Sequence, residues 1–304
     1  MITPQLLQHG DTVTIIAPAR KIATEELSFA VEKLKSWGLN VVLPKNINSQ
    51  KHSYLAGTDL ERLEDFQLAI NASDIKAIIC ARGGYGSTRI IDQLDFSPLM
   101  QFPKWVVGFS DITAVHLALV RHGIRSIHGT MPVLFSKPDA EESLSSLQNA
   151  LFGFDVILSA KENTRNRLGK ASGEVVGGNL SLIVDSLGTS SEPDLQGKIL
   201  IIEEIDEYLY KIDRMLMQLR RAGKLIDLAG LIVGHFTDIK DTTLPFGEQL
   251  EDIILHAVEG HRFPVAFNFP TGHENPNLAW YHGARGAFEV TSSAASLSFG
   301  NPAS

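Results

Sequence analysis

The 304-residue sequence holds one cysteine, no excess of positive charge, no long apolar run and no metal-ligand or dinucleotide signature. Each lack removes a class of protein. The lone Cys80, in the apolar run Lys76-Ala-Ile-Ile-Cys80, has no intrachain partner for a disulfide, fits a reducing compartment and reads as a small buried strand residue. Lysine and arginine number 27 against 35 acidic residues, a net charge of -8. That sign argues against nucleic acid or an anionic membrane as partner, because both recruit clustered cations. No apolar stretch approaches the ~20 residues of a membrane helix. The first twenty residues lack a basic segment followed by an apolar one, and Gln5, Gln8, His9 and Asp11 interrupt any candidate signal peptide, so a cytoplasmic location is expected. His-Glu-x-x-His and paired cysteines are missing, so neither metal catalysis nor any cofactor is expected.

What is present is an ordinary globular composition, 44% hydrophobic and 20% charged, at a length that suggests two domains. The first half alternates short apolar runs with amphipathic stretches. Thr12-Val-Thr-Ile-Ile16 reads as a buried strand, Leu27, Val31, Leu34 and Trp37 recur at helical spacing, and Gly38 fits a helix stop. Thr58-Asp-Leu-Glu61 fits a capping box before the helix carrying Leu60, Leu63, Phe66 and Ile70. Further strands are expected at Ala77 to Cys80, Trp105 to Phe109 and Ile124 to His128, with helices around Thr88 to Leu94 and from Ile112 to His122. Repeated strand and helix units with continuously apolar strands imply an α/β fold with a parallel, doubly wound sheet. We expect an N-terminal domain over residues 1–158, a polar linker over 159–172, and a smaller mixed α/β domain over 173–304.

Four segments could carry chemistry. Val106-Val-Gly-Phe-Ser110-Asp-Ile-Thr113 runs from a buried strand through glycine and serine into a helix, which sets the Ser110 hydroxyl on a tight turn beside helix N–H groups. Ile112 stands where a hydrolase elbow usually has its second glycine, and an ordinary helix cap is the plainer reading of Ser110 or Asp111. Arg82-Gly-Gly-Tyr-Gly86 follows the third strand, and consecutive glycines there can present backbone N–H groups to an anion or oxyanion. It is neither the Gly-x-Gly-x-x-Gly fingerprint nor a P-loop. Ile199-Leu-Ile-Ile-Glu203-Glu204-Ile-Asp-Glu207 delivers carboxylates at the end of an apolar strand, where a partner such as histidine would support their charge. Phe269-Pro-Thr-Gly-His273-Glu-Asn-Pro276 presents a histidine from a loop fixed by proline and glycine, with His235 as its rival. A serine, a glycine donor loop, a carboxylate and a histidine, each at a strand end, are the parts of a Ser-Glu-His hydrolase.

Together with Gly177-Gly-Asn-Leu-Ser-Leu182 and Tyr210-Lys-Ile-Asp-Arg-Met-Leu216, these segments resemble the LD-carboxypeptidase family of serine peptidases, which includes the microcin C self-immunity proteins. The resemblance runs from about Val13 to Arg285. It implies Ser110 as nucleophile, Glu203 as acid and His273 as base, with the backbone N–H groups of Asp111 and Gly84 as the oxyanion hole. Glu204 stands where the family often has Asp, and Asp206 where it often has Gly, which leaves Glu204 and Glu207 as alternative acids. The implied reaction releases terminal D-alanine from murein tetrapeptides during cell-wall recycling, by a homodimer. Arg82 is the candidate for gripping the terminal carboxylate, with a structural pairing as the alternative. Two other readings remain: the same machinery acting on a peptidyl-nucleotide antibiotic, and a two-domain small-molecule binding protein without catalysis.

Overall fold

The computed structural model describes residues 1–300. In the first half, strand and helix alternate as β1 (Thr12–Ile16), α1 (Thr24–Ser36), β2 (Asn40–Val42), α2 (Asp59–Asn71), β3 (Ile75–Cys80), α3 (Pro98–Gln101), β4 (Trp105–Gly108), α4 (Thr113–Arg121), β5 (Ser126–His128) and α5 (Glu141–Phe152). The expected capping box forms: the Thr58 hydroxyl accepts the Glu61 N–H at 3.2 Å, and the Glu61 carboxylate accepts the Thr58 N–H at 3.0 Å. Gly38 ends α1 at φ +81°, a left-handed position that costs glycine nothing. The expected helix around Thr88 to Leu94 is instead two 3-10 turns, Ser87–Arg89 and Ile91–Gln93. The first is pinned at its start, where the Ser87 N–H donates to the Asp111 carboxylate at 2.9 Å.

The second half comprises β6 (Ile157–Lys161), β7 (Gly169–Asn179), α6 (Leu180–Asp185), β8 (Ile199–Ile205), α7 (Leu209–Arg221), β9 (Gly230–Thr237), α8 (Leu250–Ala257), β10 (Val265–Ala266), β11 (Trp280–His282), β12 (Arg285–Val290) and β13 (Ala294–Phe299). The polar stretch 159–172 is strand at both ends, since it holds most of β6 and the start of β7. Leu158 and Ala160 face the core while Ser159 and Lys161 face solvent, so its polarity is that of the wet face of an edge strand.

Two sheets result. The first has the order β11-β5-β4-β3-β1-β2 and is parallel except for β11, which pairs antiparallel with β5. Strand order 2-1-3-4-5 is that of a doubly wound sheet whose ligand crevice opens where the order reverses, at the carboxyl ends of β1 and β3. The second, β10-β9-β8-β7-β12-β13-β6, is parallel from β10 to β7 and antiparallel from β7 to β6. The chain therefore crosses to the second sheet, returns to the first through β11, and crosses again.

The core follows the two-residue period of the strands. On β8, Ile199 and Ile201 join a core shared with Val13, Trp105, Phe288 and Trp280, while Leu200 and Ile202 face α7 and α8 through Ile212, Leu216, Ile253 and Ile254. Each such side chain contributes roughly 1.5 to 3 kcal/mol when fully buried. Helix α4 lies between the sheets: Val115 and Leu119 pack on the first, and Leu117 enters the core of the second. The helix that begins at the candidate nucleophile is thus clamped from both sides.

Candidate active site

Strand β4 ends at Gly108, and Ser110 takes φ +63°, a left-handed conformation that costs a non-glycine residue about 1 to 3 kcal/mol. Several contacts hold it there. The buried Asp111 carboxyl accepts the Ser87 N–H; burial raises its pKa, against the bonds from Ser87 and Gly86 and the nearby Arg62 charge. A Cβ on Gly108 would stand 2.9 Å from Ile112 carbons, so only glycine lets the turn close over the residue that replaces the usual second glycine. His116 reaches back from α4, its Nε2 2.9 Å from the Gly108 carbonyl and its Nδ1 2.8 Å from the Ser126 hydroxyl. Since a carbonyl only accepts, Nε2 carries the proton. From the second sheet, the Asn179 N–H donates to the Thr113 hydroxyl at 3.1 Å.

The carboxylate and the histidine come from the other half. Side chains alternate along β8, so Glu203 shares the face of Ile199 and Ile201 and Glu204 that of Leu200 and Ile202, while the extra residue of the register shift falls on β9, between Val233 and Phe236. Glu203, wholly buried, brings Oε2 to 2.6 Å from His273 Nδ1, and His273 Nε2 lies 2.9 Å from Ser110 Oγ. Burial alone would lower the His273 pKa; the charge and hydrogen bond of Glu203, helped by Glu204, overcome it and raise the pKa above the ordinary histidine value. The second Glu203 oxygen, Oε1, has no hydrogen-bond partner among the described residues. Its one directional contact is with the imidazole.

A buried polar clamp fixes the His273 loop. Asn277 Oδ1 accepts the Gly272 N–H at 3.0 Å and lies 3.2 Å from His128 Nε2. The Trp280 indole N–H donates to the Thr271 hydroxyl at 3.0 Å, and the Ser143 hydroxyl accepts the Asn277 N–H at 2.8 Å. His128, Ser143 and Trp280 belong to β5, α5 and β11, so the first sheet and its covering helix hold the loop that carries His273. Gly272, at φ +128°, could not be replaced without pressing a Cβ to 3.0 Å from that of Glu203.

Ser110, Glu203 and His273 are brought together, and the other acids and the rival histidine are not. Glu204 accepts bonds from Asn179 Nδ2 at 2.8 Å, the Ser181 N–H at 2.8 Å and the Ser181 hydroxyl at 2.6 Å, so it anchors the start of α6. Glu207 pairs with Lys211 at 3.2 Å. His235 donates its backbone N–H to the Thr271 carbonyl, and its ring Nδ1 has no hydrogen-bond partner among the described residues. In the glycine loop, Gly83 is the residue against the serine: a Cβ there would lie 3.0 Å from Ser110 Cβ and 3.2 Å from the Asp111 nitrogen. The exposed Gly84 is covered on its Cα face by the Arg20 side chain. Arg82 donates to the Lys21 carbonyl at 3.0 Å and, among the described residues, has no carboxylate partner. Sequence reasoning missed Asn277, Thr271, His128 and Trp280. The one local signal was their density of polar and aromatic types around the His273 loop, and nothing in spacing shows that they meet.

This arrangement can abstract a proton from a serine hydroxyl beside a turn rich in backbone donors. A family model described as the LD-carboxypeptidase N-terminal domain matches residues 13–129, and one described as its C-terminal domain matches residues 172–288. A Bacillus subtilis protein named probable murein peptide carboxypeptidase is 39% identical over 98% of this chain and 94% of its own. The murein tetrapeptide carboxypeptidase of Pseudomonas aeruginosa is 31% identical over 91% of this chain and 92% of its own. The crystal structure of muramoyltetrapeptide carboxypeptidase from Oxalobacter formigenes superposes with a TM-score of 0.87 at 28% identity, covering 95% of this chain and 98% of that one.

Proposed function

The chain belongs to the LD-carboxypeptidase family of hydrolases, and on that premise we propose that it is a serine carboxypeptidase releasing the terminal D-alanine of murein tetrapeptides in cell-wall recycling. The observation that carries this reading is the unbroken hydrogen-bonded row Glu203, His273, Ser110. In it, His273 takes the Ser110 proton as Oγ attacks the carbonyl carbon before the D-residue, and Glu203 holds the imidazole so that Nε2 faces the serine and supports the cation that forms. The oxyanion is received by the Asp111 N–H and one from the Gly83-Gly84 segment, each such donor being worth about 10² to 10³ in rate. The C–N bond breaks as His273 returns the proton to the leaving amine, and water then resolves the acyl-serine by the same route. The products are a tripeptide acid and free D-alanine.

Division of labour follows the two sheets: the unit over 1–158 supplies nucleophile and oxyanion donors, the unit over 173–304 supplies acid and base, and 159–172 joins them. Arg82 grips the free carboxylate that defines a carboxypeptidase substrate. No helix among the described residues is long and apolar enough to cross a membrane. We place the enzyme in the cytoplasm as a homodimer, which sedimentation and cell fractionation test. The decisive experiment incubates the purified enzyme and its Ser110→Ala variant with L-Ala-D-Glu-diaminopimelate-D-Ala and measures D-alanine. Release by the parent and loss of at least 10⁴-fold in the variant are expected. Undiminished release by Ser110→Ala overturns the serine mechanism, and cleavage of an aminoacyl-nucleotide in place of the tetrapeptide overturns the substrate.

A further inference from the structure

At the sheet's reversal point between β1 and β3, next to the glycine loop that lies against Ser110, stand two arginines that the catalytic row does not use. Arg20 follows β1, and Arg82 follows β3. The Arg20 side chain lies across Gly84, its Nε 3.5 Å from where a Cβ would stand, while the neighbouring Gly83 lies against Ser110. The Arg20 guanidinium then stacks over the Tyr54 ring at 4.5 Å from its centroid. Arg82 is turned toward the same stretch of chain by its bond to the Lys21 carbonyl, the residue after Arg20. Burial, and then the charge of Arg20, push the Arg82 pKa down from its ordinary value, so the two cations feel each other.

Neither has a carboxylate within 4 Å among the described residues, although the chain carries eight more acidic than basic groups. Arg62, Arg89 and Arg165 do have such partners. Two like charges held together without a counterion are unfavourable in the free protein. The arrangement becomes favourable when an anion enters between them, and a planar guanidinium fork suits a carboxylate. The stacking on Tyr54 presets the orientation of Arg20, which lowers the entropy lost when the anion binds.

We propose that Arg20 is a specificity-determining residue, seating the terminal carboxylate of the substrate together with Arg82. The proposal rests on the peptidase reading above, because it needs a peptide whose scissile carbonyl sits at Ser110. The carboxylate of the terminal residue is only three bonds beyond that carbonyl carbon, so a guanidinium next to the oxyanion loop is where it must be met. Gly84 is then required for a second reason besides its φ of +107°: any side chain there would displace Arg20.

Binding in a Ser110→Ala background tests this without turnover. Calorimetry compares the tetrapeptide ending in D-alanine with the same peptide ending in D-alaninamide. Ser110→Ala should bind the acid about tenfold to a hundredfold more tightly than the amide. Adding Arg20→Ala should bring the two within about twofold, and Arg20→Lys, which keeps the cation without the fork, should retain part of the preference. An unchanged thermal midpoint in Arg20→Lys guards against simple misfolding. Equal weakening of acid and amide by Arg20→Ala, or no weakening of either, overturns the proposal. Turnover of tetrapeptide by the parent enzyme with no Arg20-dependent preference overturns this inference alone. Absence of turnover together with absence of binding overturns the peptidase reading as well.

Discussion

The two halves of the site are built by different means. The Ser110 half is compact in sequence: Gly108, Ser110, Asp111 and Thr113 fall within six residues, at one strand-to-helix turn, to which Ser87 and Asn179 each add one bond from farther along the chain. The Glu203 and His273 half is assembled at long range, from the end of β8 and a loop tied down by β5, α5 and β11. A local device should tolerate changes elsewhere and fail sharply when its own residues change. A clamp should fail by degrees. That contrast can be broken or sharpened by four substitutions or conditions.

The largest effect is expected at Glu203. Glu203→Gln removes the charge while nearly keeping the shape, and loss of imidazolium support should lower kcat by about 10³ to 10⁴. The pH profile adds a second readout. His273 must be neutral to accept a proton, so activity falls on the acid side as His273 becomes protonated, and the raised pKa puts that fall above the ordinary value of 6.5. Without the Glu203 charge, burial is opposed chiefly by the smaller Glu204 contribution, and the acid limb should move to lower pH. An acid limb left in place would mean that Glu203 does not support the histidine.

Next is the glycine loop. Gly83→Ala pushes a methyl group to 3.0 Å from Ser110 Cβ and 3.2 Å from the Asp111 nitrogen, into the space where an oxyanion forms. A loss of about 10² in kcat is expected with little change in thermal stability. Comparable rates in both proteins would remove the loop from the reaction.

Asn277→Ala tests the clamp. It frees the Gly272 N–H and leaves His128 without its Asn277 partner, so the His273 loop should sample more than one position. A smaller loss of about 10 to 10² in kcat is expected, with KM nearly unchanged and with ~1 to 3 kcal/mol of stability lost through unpaired buried groups. If kcat stays intact while stability falls, the clamp is structural only.

The same contrast explains what could be read from the sequence. The parallel sheet, the capping box at Thr58 and the Ser110 turn depend on neighbours within a few residues, so spacing and residue type reveal them. Identification of Glu203 among three nearby acids rests on the family resemblance; the geometry separates them because the alternation along β8 turns Glu203 toward His273 while Glu204 serves the start of α6. No periodicity could show that residues 280–282, late in the chain, return to pair with β5 of the first sheet. The run 159–172 holds strand at both ends for a related reason, since a half-buried edge strand has the composition of a linker until its partner strand is known.

The return of β11 also concentrates acid sensitivity in one half. His116 and His282 stack at 4.5 Å, His282 lies 4.2 Å from Trp280, and Trp280 stacks on His128 at 4.9 Å, all three histidines wholly buried. Among the described residues, both ring nitrogens of His282 lack hydrogen-bond partners. Burial lowers the His116 pKa to about 4 and those of His128 and His282 well below 6.5. A histidine whose folded pKa is depressed binds fewer protons folded than unfolded, so its contribution is fully present above the unfolded pKa of about 6.5 and is lost as pH falls from there toward the folded values. As pH falls from 7 to 4, amide protection factors, corrected for the intrinsic pH dependence of exchange, should therefore drop in β4, β5 and β11 before they do in β7, β8 and β9. His282→Phe keeps a flat ring in the stack and removes two nitrogens that have no partner. It should raise the thermal midpoint more at pH 5 than at pH 8, by a few degrees. An equal shift at both pH values would assign the effect to packing and dissociate acid sensitivity from the stack.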